Sequence, residues 1–465
     1  MRYLSTRGAS PALTFDEVLL TGLARDGGLF LPETWPQLDL AALAGLDYPT
    51  LAQRVMQPFL GGRIGEADFT RLVEESYAGF GHKAVTPLKQ IDSRLWLMEL
   101  FHGPTLAFKD VALQLLGRLY DHVLAKRGQR ITIVGATSGD TGSAAIEACR
   151  DRPAIDIFIL HPEGRTSEVQ RRQMTTVMSP NVRNIAIRGS FDDCQDLVKG
   201  LFADPSFRDE MHLGAVNSIN WGRIMAQIVY YVAAGLALGA PKRRVAFAVP
   251  TGNFGNVYAG YAARAMGLPV EKFIVGSNSN DILTRFIQSG VMKMGAVHPT
   301  LSPSMDIQVS SNAERVLFDL YDRDSTRLVR AMQQFRQSGE ITLDSGQHKR
   351  LSDLFAGHRL DDAATLAAMK GLYGETGELI DPHSAIGLAA ARAVKLDPDV
   401  AIVALGTAHP AKFPDAVEKA TGIRPPLPPA LADLYERPER FSVLANDLAV
   451  LKTHIRGQVA AGRAA

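Results

Sequence analysis

Lysine 109 stands in "GPTLAFKDVALQLL" (Gly103–Leu116), directly ahead of an amphipathic stretch. Ala112, Leu115, Leu116, Leu119 and Val123 recur at helical spacing, which predicts a helix opening near Lys109. A cation at that end opposes the helix macrodipole. A solvated surface lysine would tolerate the position. A lysine whose charge is disfavoured by the helix end and an apolar surround would instead be a neutral amine, the state that Schiff-base chemistry needs.

Four loops elsewhere carry residue types that bind anions or hold a ring. "GATSGDTGSAA" (Gly135–Ala145) follows an apolar run and opens a helical one. Its glycines and hydroxyls beside free helix N–H groups suit a carboxylate or phosphate. It has neither the P-loop ending nor the dinucleotide glycine spacing. "PTGNFGN" (Pro250–Asn256) repeats the plan: Gly252 and Gly255 let backbone N–H groups converge, which suits a phosphate dianion. Neither loop contains a lysine or arginine, so backbone donors must do the binding. "VNSINWGR" (Val216–Arg223) offers Asn217, Ser218, Asn220 and Arg223 within one turn, a set suited to a second phosphate. The competing reading is a helix cap with a surface arginine. In "ALGTAHPAKF" (Ala404–Phe413), Thr407 ends a buried run and can meet a ring nitrogen or simply cap a helix. His409, alone in that loop, reads as structural.

These loops need a scaffold. "RITIVGA" (130–136), "DIFILHP" (156–162), "NIAIRG" (184–189), "RVAFAVP" (244–250), "KFIVGSN" (272–278) and "VAIVALGT" (400–407) are short apolar runs with helical patterns between them. That alternation predicts βαβ units and parallel sheets covered on both faces. Ligands bind such sheets beyond the strands' carboxyl ends, where the loops above fall. Up to about residue 95 the pattern is mostly helical. A Pro-rich link (424–440) leads to a final helix, expected as a tail on the main body. The 465 residues leave room for roughly three domains, expected at 1–95, 96–240 and 241–465. A net charge of +1 gives no general attraction to nucleic acid. The run Ile224–Ala240 holds Gln227 and is too short to span a bilayer, so it reads as a buried helix. Two cysteines supply neither a disulfide framework nor a zinc site, and no metal is expected. With no signal-like start, the expectation is a cytoplasmic protein.

Taken together, "YLSTRG", "GLARDGGLFLPE" (Gly22–Glu33), "FHGPTLAFKD", "GATSGDTGSAA", "NSINWGR", "PTGNFGN" and "TAHPAKF" resemble the threonine synthase family of the bacterial and fungal type, along nearly the whole chain. The resemblance implies the α/β fold of fold-type-II pyridoxal-phosphate enzymes, similar to tryptophan synthase β. That means two parallel-type α/β domains with a mostly helical N-terminal one. It implies pyridoxal 5'-phosphate as cofactor, linked to Lys109. Gly252, Asn253, Phe254, Gly255 and Asn256 then match the loop for the cofactor phosphate. Thr407 matches the residue at the pyridine nitrogen, and Asp140 lies near the cofactor's O3'. Thr137, Ser138, Gly139 and Thr141 match the loop for the substrate carboxylate. Asn217, Ser218, Asn220 and Arg223 match the cluster for the substrate phosphate. The implied reaction converts O-phospho-L-homoserine and water to L-threonine and phosphate, in a monomer or homodimer that engages no nucleic acid and no membrane. Two rivals are a serine or threonine dehydratase, whose lysine motif runs on into Arg-Gly rather than "AFKD", and an idle relative that only binds phosphorylated metabolites.

Overall fold

The computed structural model describes the backbone of residues 1–464 and the side chains of residues 1–460. The chain folds into two compact units that are discontinuous in sequence. One comprises residues 1–19, 23–108 and 218–425, and the other 20–22, 109–217 and 426–465.

The first unit is built on a six-stranded sheet in the order Phe355–Arg359, Val270–Ser277, Val245–Pro250, Ala401–Gly406, Leu95–Glu99, Leu88–Gln90. Every pairing is parallel except the last. Side chains alternate across it, as the two-residue strand period demands. Ala246, Ala248, Ile274, Ile402 and Ala404 pack into one core with Ala385 and Leu388 of the helix Pro382–Ala393. Phe247 and Phe273 instead meet the ring of Tyr231 from the helix Trp221–Ala237. That helix is the apolar run containing Gln227, and it is buried along nearly its whole length.

Residues before 95 are mostly helical, as Tyr48–Leu60 and Glu66–Tyr77 illustrate. The segment 38–60 forms two helices: Leu40–Leu43 stops short and Asp47 caps Tyr48–Leu60. The motif "YLSTRG" contributes a strand, Tyr3–Ser5, paired antiparallel with Phe30–Pro32. Thr6 and Arg7 then bind the buried carboxylate of Glu314 at 2.7 and 2.8 Å.

The second unit holds five parallel strands in the order Ser442–Ala445, Val182–Arg188, Ile155–Pro162, Ile131–Ala136, Leu213–Gly214. Every residue of Ile155–Pro162 is buried, as a central parallel strand requires. The helices Lys109–Arg127 and Asp140–Cys149 pack closely together. A Cβ on Gly117 would lie 2.2 Å from the Ala148 carbonyl oxygen.

The expected C-terminal tail is not peripheral within this unit. Ser442–Ala445 extends the sheet, and Leu451, Ile455 and Val459 of the last helix complete its core with Phe158, Leu160 and Leu197. The four-residue strand is half-exposed and too short to stand out from the polar residues around it.

Candidate active site

In the first unit, the strand Val245–Pro250 runs into Thr251–Phe254 and then the helix Gly255–Ala265. Phe254 caps that helix in the left-handed region, φ 61°. A Cβ at Gly252 would fall 2.7 Å from the Ser304 carbonyl oxygen, so the backbone there admits only glycine. The loop carbonyls are taken up elsewhere. Gly252 O accepts from Ser310 Oγ (2.7 Å), and Asn253 O accepts from the backbone N–H and Nδ2 of Asn312 (3.1 and 2.9 Å). The loop thus keeps the donor N–H groups of a helix start, which have no intrahelical acceptor.

Asn256 lies in the first turn. Its Oδ1 accepts from the hydroxyls of Tyr230 (2.6 Å) and Tyr231 (2.8 Å), while its buried Nδ2 has no partner among the described residues. A neutral loop of converging donors with one spare amide fits a phosphate dianion.

The turn Ser218–Arg223 lies in the same unit. Asn220 is its cap: Oδ1 accepts from Gly222 N (2.9 Å) and Nδ2 donates to Leu19 O (2.9 Å). Its amide therefore shapes the turn, as the capping alternative required. Arg223 is buried in the first turn of Trp221–Ala237, a cation at the positive end of a helix.

One segment that the sequence did not single out joins the two loops. Asn312 Nδ2 also donates to Ser218 O (3.3 Å), and Arg315 donates to Ile219 O (2.7 Å), to Phe30 O (2.9 and 2.8 Å) and to Asn312 Oδ1. Arg315 is fully buried, and that burial brings its pKa down to about 10. Arg315→Met strands these carbonyls in the core. It is expected to lower stability by about 2–4 kcal/mol, read as a shift in denaturant midpoint.

Thr407 follows the strand Ala401–Gly406 and is nearly buried. Its N–H donates to Ser384 Oγ (3.0 Å), and its carbonyl accepts from Phe108 N (2.9 Å). Ser384 in turn donates to Asp381, which caps the helix Pro382–Ala393. The hydroxyl of Thr407 is thus carried on a backbone pinned at both peptide groups. Lys109 is the next residue in the chain after Phe108.

His409 accepts from Ala411 N at Nδ1 (3.1 Å) and packs edge-on against Phe101. Burial, and next the nearby His102, push its pKa down to about 4, so it is neutral near pH 7. The unfolded chain titrates this group at the ordinary value of about 6.5 and therefore binds more protons between pH 6.5 and 4. Stability is expected to fall across that window as pH drops, by a few kcal/mol at most from this group. His409→Asn should flatten that part of the curve in thermal melts at pH 7 and pH 5.

In the second unit, Lys109 is the first residue of the helix Lys109–Arg127, where the spacing placed it. It is 7% exposed, and its Nζ lies 3.4 Å from Asp140 Oδ2. The sequence reading left its charge uncompensated; the structure supplies a carboxylate. Asp140 opens the facing helix and is fixed at Oδ1 by Gln170 Nε2 (2.8 Å), a partner with no sequence signal. Gly139, φ +145°, makes that approach possible: a Cβ there would collide with Gln170 at 2.4 Å. Thr137 Oγ1 accepts from Gly139 N and Gly142 N (both 2.9 Å) and holds the loop's shape. Ser138 and Thr141 are partly exposed. Asn217 ends this unit's central segment. The fit to pyridoxal phosphate is therefore good in chemical type: a buried amine with its carboxylate, a neutral phosphate cradle, and a hydroxyl at a strand end.

Comparison with known proteins agrees along nearly the whole chain. Residues 2–77 match the family description "Threonine synthase N terminus", 80–344 "Pyridoxal-phosphate dependent enzyme", and 384–455 "Threonine synthase, C-terminal". The chain is 56% identical over 459 residues to a threonine synthase of Pseudomonas aeruginosa, covering 98% of each. Its fold is similar to a PLP-bound threonine synthase from Brucella melitensis, with TM-score 0.96 and 52% identity over 98% of this chain and 99% of that one. It is also similar to yeast threonine synthase, with TM-score 0.93 and 39% identity over 99% of each chain. The chain belongs to the threonine synthase family of pyridoxal-phosphate-dependent enzymes.

Proposed function

We propose that this chain converts O-phospho-L-homoserine and water to L-threonine and phosphate, the last step of threonine biosynthesis, with pyridoxal 5'-phosphate as cofactor. The observation that carries the reading is a buried lysine opening a helix, paired with a carboxylate, in a chain of this family. When bound, pyridoxal phosphate supplies the electron sink that makes the substrate's Cα and Cβ hydrogens acidic.

The chain's own groups do the rest. Lys109 anchors the cofactor covalently and, as a free amine, takes the proton from Cα and returns it. Asp140, held by Gln170, keeps the Lys109 amine oriented and near its counter-charge. Gly252, Asn253, Phe254, Gly255 and Asn256 hold the cofactor phosphate through neutral donors. The Thr407 hydroxyl meets the pyridine nitrogen without adding charge to it.

Ser138, Gly139 and Thr141, on a loop shaped by Thr137, take the substrate carboxylate. Asn217, Ser218 and Arg223 take the phosphate that leaves Cγ, on a turn capped by Asn220. For the atoms to balance, Cβ gives up one proton and Cγ gains one as phosphate leaves, and water then adds its hydroxyl at Cβ while its remaining proton goes to the released phosphate. The two buried, free thiols, Cys149 and Cys194, accord with a cytoplasmic enzyme.

The test uses purified holoenzyme, given O-phospho-L-homoserine and assayed for both products. L-Threonine and phosphate in equal amounts are the expected result. No turnover of that substrate, with an oxo acid formed from serine or threonine, would replace the reading with a dehydratase.

A further inference from the structure

A cavity of about 770 Å3 lies within the second unit and belongs to none of the loops above. Arg130 stands just before the strand Ile131–Ala136. Asp156 and Arg183 are the second residues of Ile155–Pro162 and Val182–Arg188, and Arg440 and Phe441 lead into Ser442–Ala445. All four strands are parallel, so the cavity sits at their amino ends. The Thr137–Thr141 loop sits at the carboxyl end of the same sheet, one full strand length away.

The lining is strongly basic. Arg130, Arg152, Arg183 and Arg440 face a single carboxylate, Asp156, which pairs with Arg130 at 3.3 Å. Arg183 and Arg440 meet no carboxylate within ion-pair distance among the described residues. They are held by neutral acceptors: Arg183 Nε by Gln458 Oε1 (2.8 Å), and Arg440 Nη2 by the Ser179 and Val182 carbonyls (2.7 and 3.2 Å). These bonds fix the guanidinium groups and leave Arg183 Nη2 and Arg440 Nη1 to donate elsewhere.

Two like charges are thus held together with no carboxylate in direct contact, Asp156 acting on Arg183 only at longer range. Burial, and next the adjacent Arg440, lower the Arg183 pKa accordingly. Two further features belong to a ligand with more than charge. Phe441 is a 40% exposed aromatic ring at the cavity. Asn184, 4% exposed and also lining it, leaves Oδ1 without a partner among the described residues. The volume falls within the range of about 300–1,000 Å3 typical of small-molecule sites.

We propose that this cavity binds a phosphorylated metabolite with a planar ring, of the nucleoside diphosphate class: phosphate on Arg183 and Arg440, ring against Phe441. Preorganised guanidinium forks are the donors that match phosphate oxygens. The flat apolar face that a base needs is already in place.

Calorimetric titration of the holoenzyme with ADP tests this. ADP is expected to bind and adenosine not to. Arg183→Gln combined with Arg440→Gln should weaken ADP about 100-fold, the loss of two charge-assisted contacts. Phe441→Ala changes an exposed side chain and leaves the fold intact. It should weaken ADP while leaving inorganic pyrophosphate unchanged. Arg223→Ala should leave ADP affinity unchanged, which separates this cavity from the phosphate sites of the reaction. Absence of ADP binding overturns the proposal, as does ADP binding that survives both the arginine pair and Phe441→Ala, or that is lost with Arg223→Ala.

Discussion

Lys109→Ala is expected to lower kcat by about four powers of ten, the upper end of what a positioned proton-transfer group contributes. On the proposed reading alanine removes both the anchoring amine and the base, and it also removes the cation 3.4 Å from the buried Asp140. The covalent test is independent of turnover. Borohydride reduction of the wild-type holoenzyme should fix the cofactor to the peptide bearing Lys109, and the variant should take up none. A reduced adduct in Lys109→Ala would move the anchor to another lysine. Asp140→Asn is the milder companion. It keeps the Gln170 contact geometry but removes the charge 3.4 Å from Nζ, so its effect should appear as a shifted pH–rate profile rather than as loss of the covalent link.

The second large effect is expected at Arg223. A hydrogen bond to a charged group contributes about 1.5–3 kcal/mol, so Arg223→Ala should raise KM for O-phospho-L-homoserine about 10- to 100-fold. Cofactor affinity, which the proposed reading assigns to the separate loop Gly252–Asn256, should change far less. Equal loss of both affinities would assign Arg223 to the scaffold instead. Arg223 is buried in the first turn of Trp221–Ala237, so thermal melts of the variant and of wild type separate a loss of substrate binding from a loss of folding.

Strands with strong apolar runs were legible, because a buried parallel strand has few ways to be written. Ile131–Ala136, Ile155–Pro162, Val245–Pro250 and Ala401–Gly406 all fall where the pattern put them. So did the start of the helix at Lys109. The edge strand Ser442–Ala445 was not legible, since an edge needs little hydrophobicity and pairing alone defines it. Nor could a linear reading find units that interleave three stretches of chain each.

At the site, glycine-rich loops announce themselves by composition. The groups that hold them do not. Gln170, Ser384 and Arg315 lie 30, 23 and 96 residues from Asp140, Thr407 and Ile219 respectively. Each is a common residue whose role exists only through its partner. Arg315 gives one faint signal, a charge next to the apolar run Val316–Phe318 in the helix Ala313–Leu320.

Asn312 and Arg315 touch the loop at Gly252–Asn256 and the turn at Ser218–Arg223 through the same few bonds. Ordering either loop therefore restricts the other before its ligand arrives. The entropy of that restriction is shared, so if each loop takes the phosphate proposed for it, the first to bind lowers the cost for the second. Linkage makes the effect mutual: any factor by which bound cofactor tightens the substrate is the factor by which substrate tightens the cofactor. On the proposed assignment of the two phosphates, the cofactor is expected to be retained most firmly while substrate saturates the enzyme, and a slower loss of cofactor on dialysis with substrate present is the measurement that checks it.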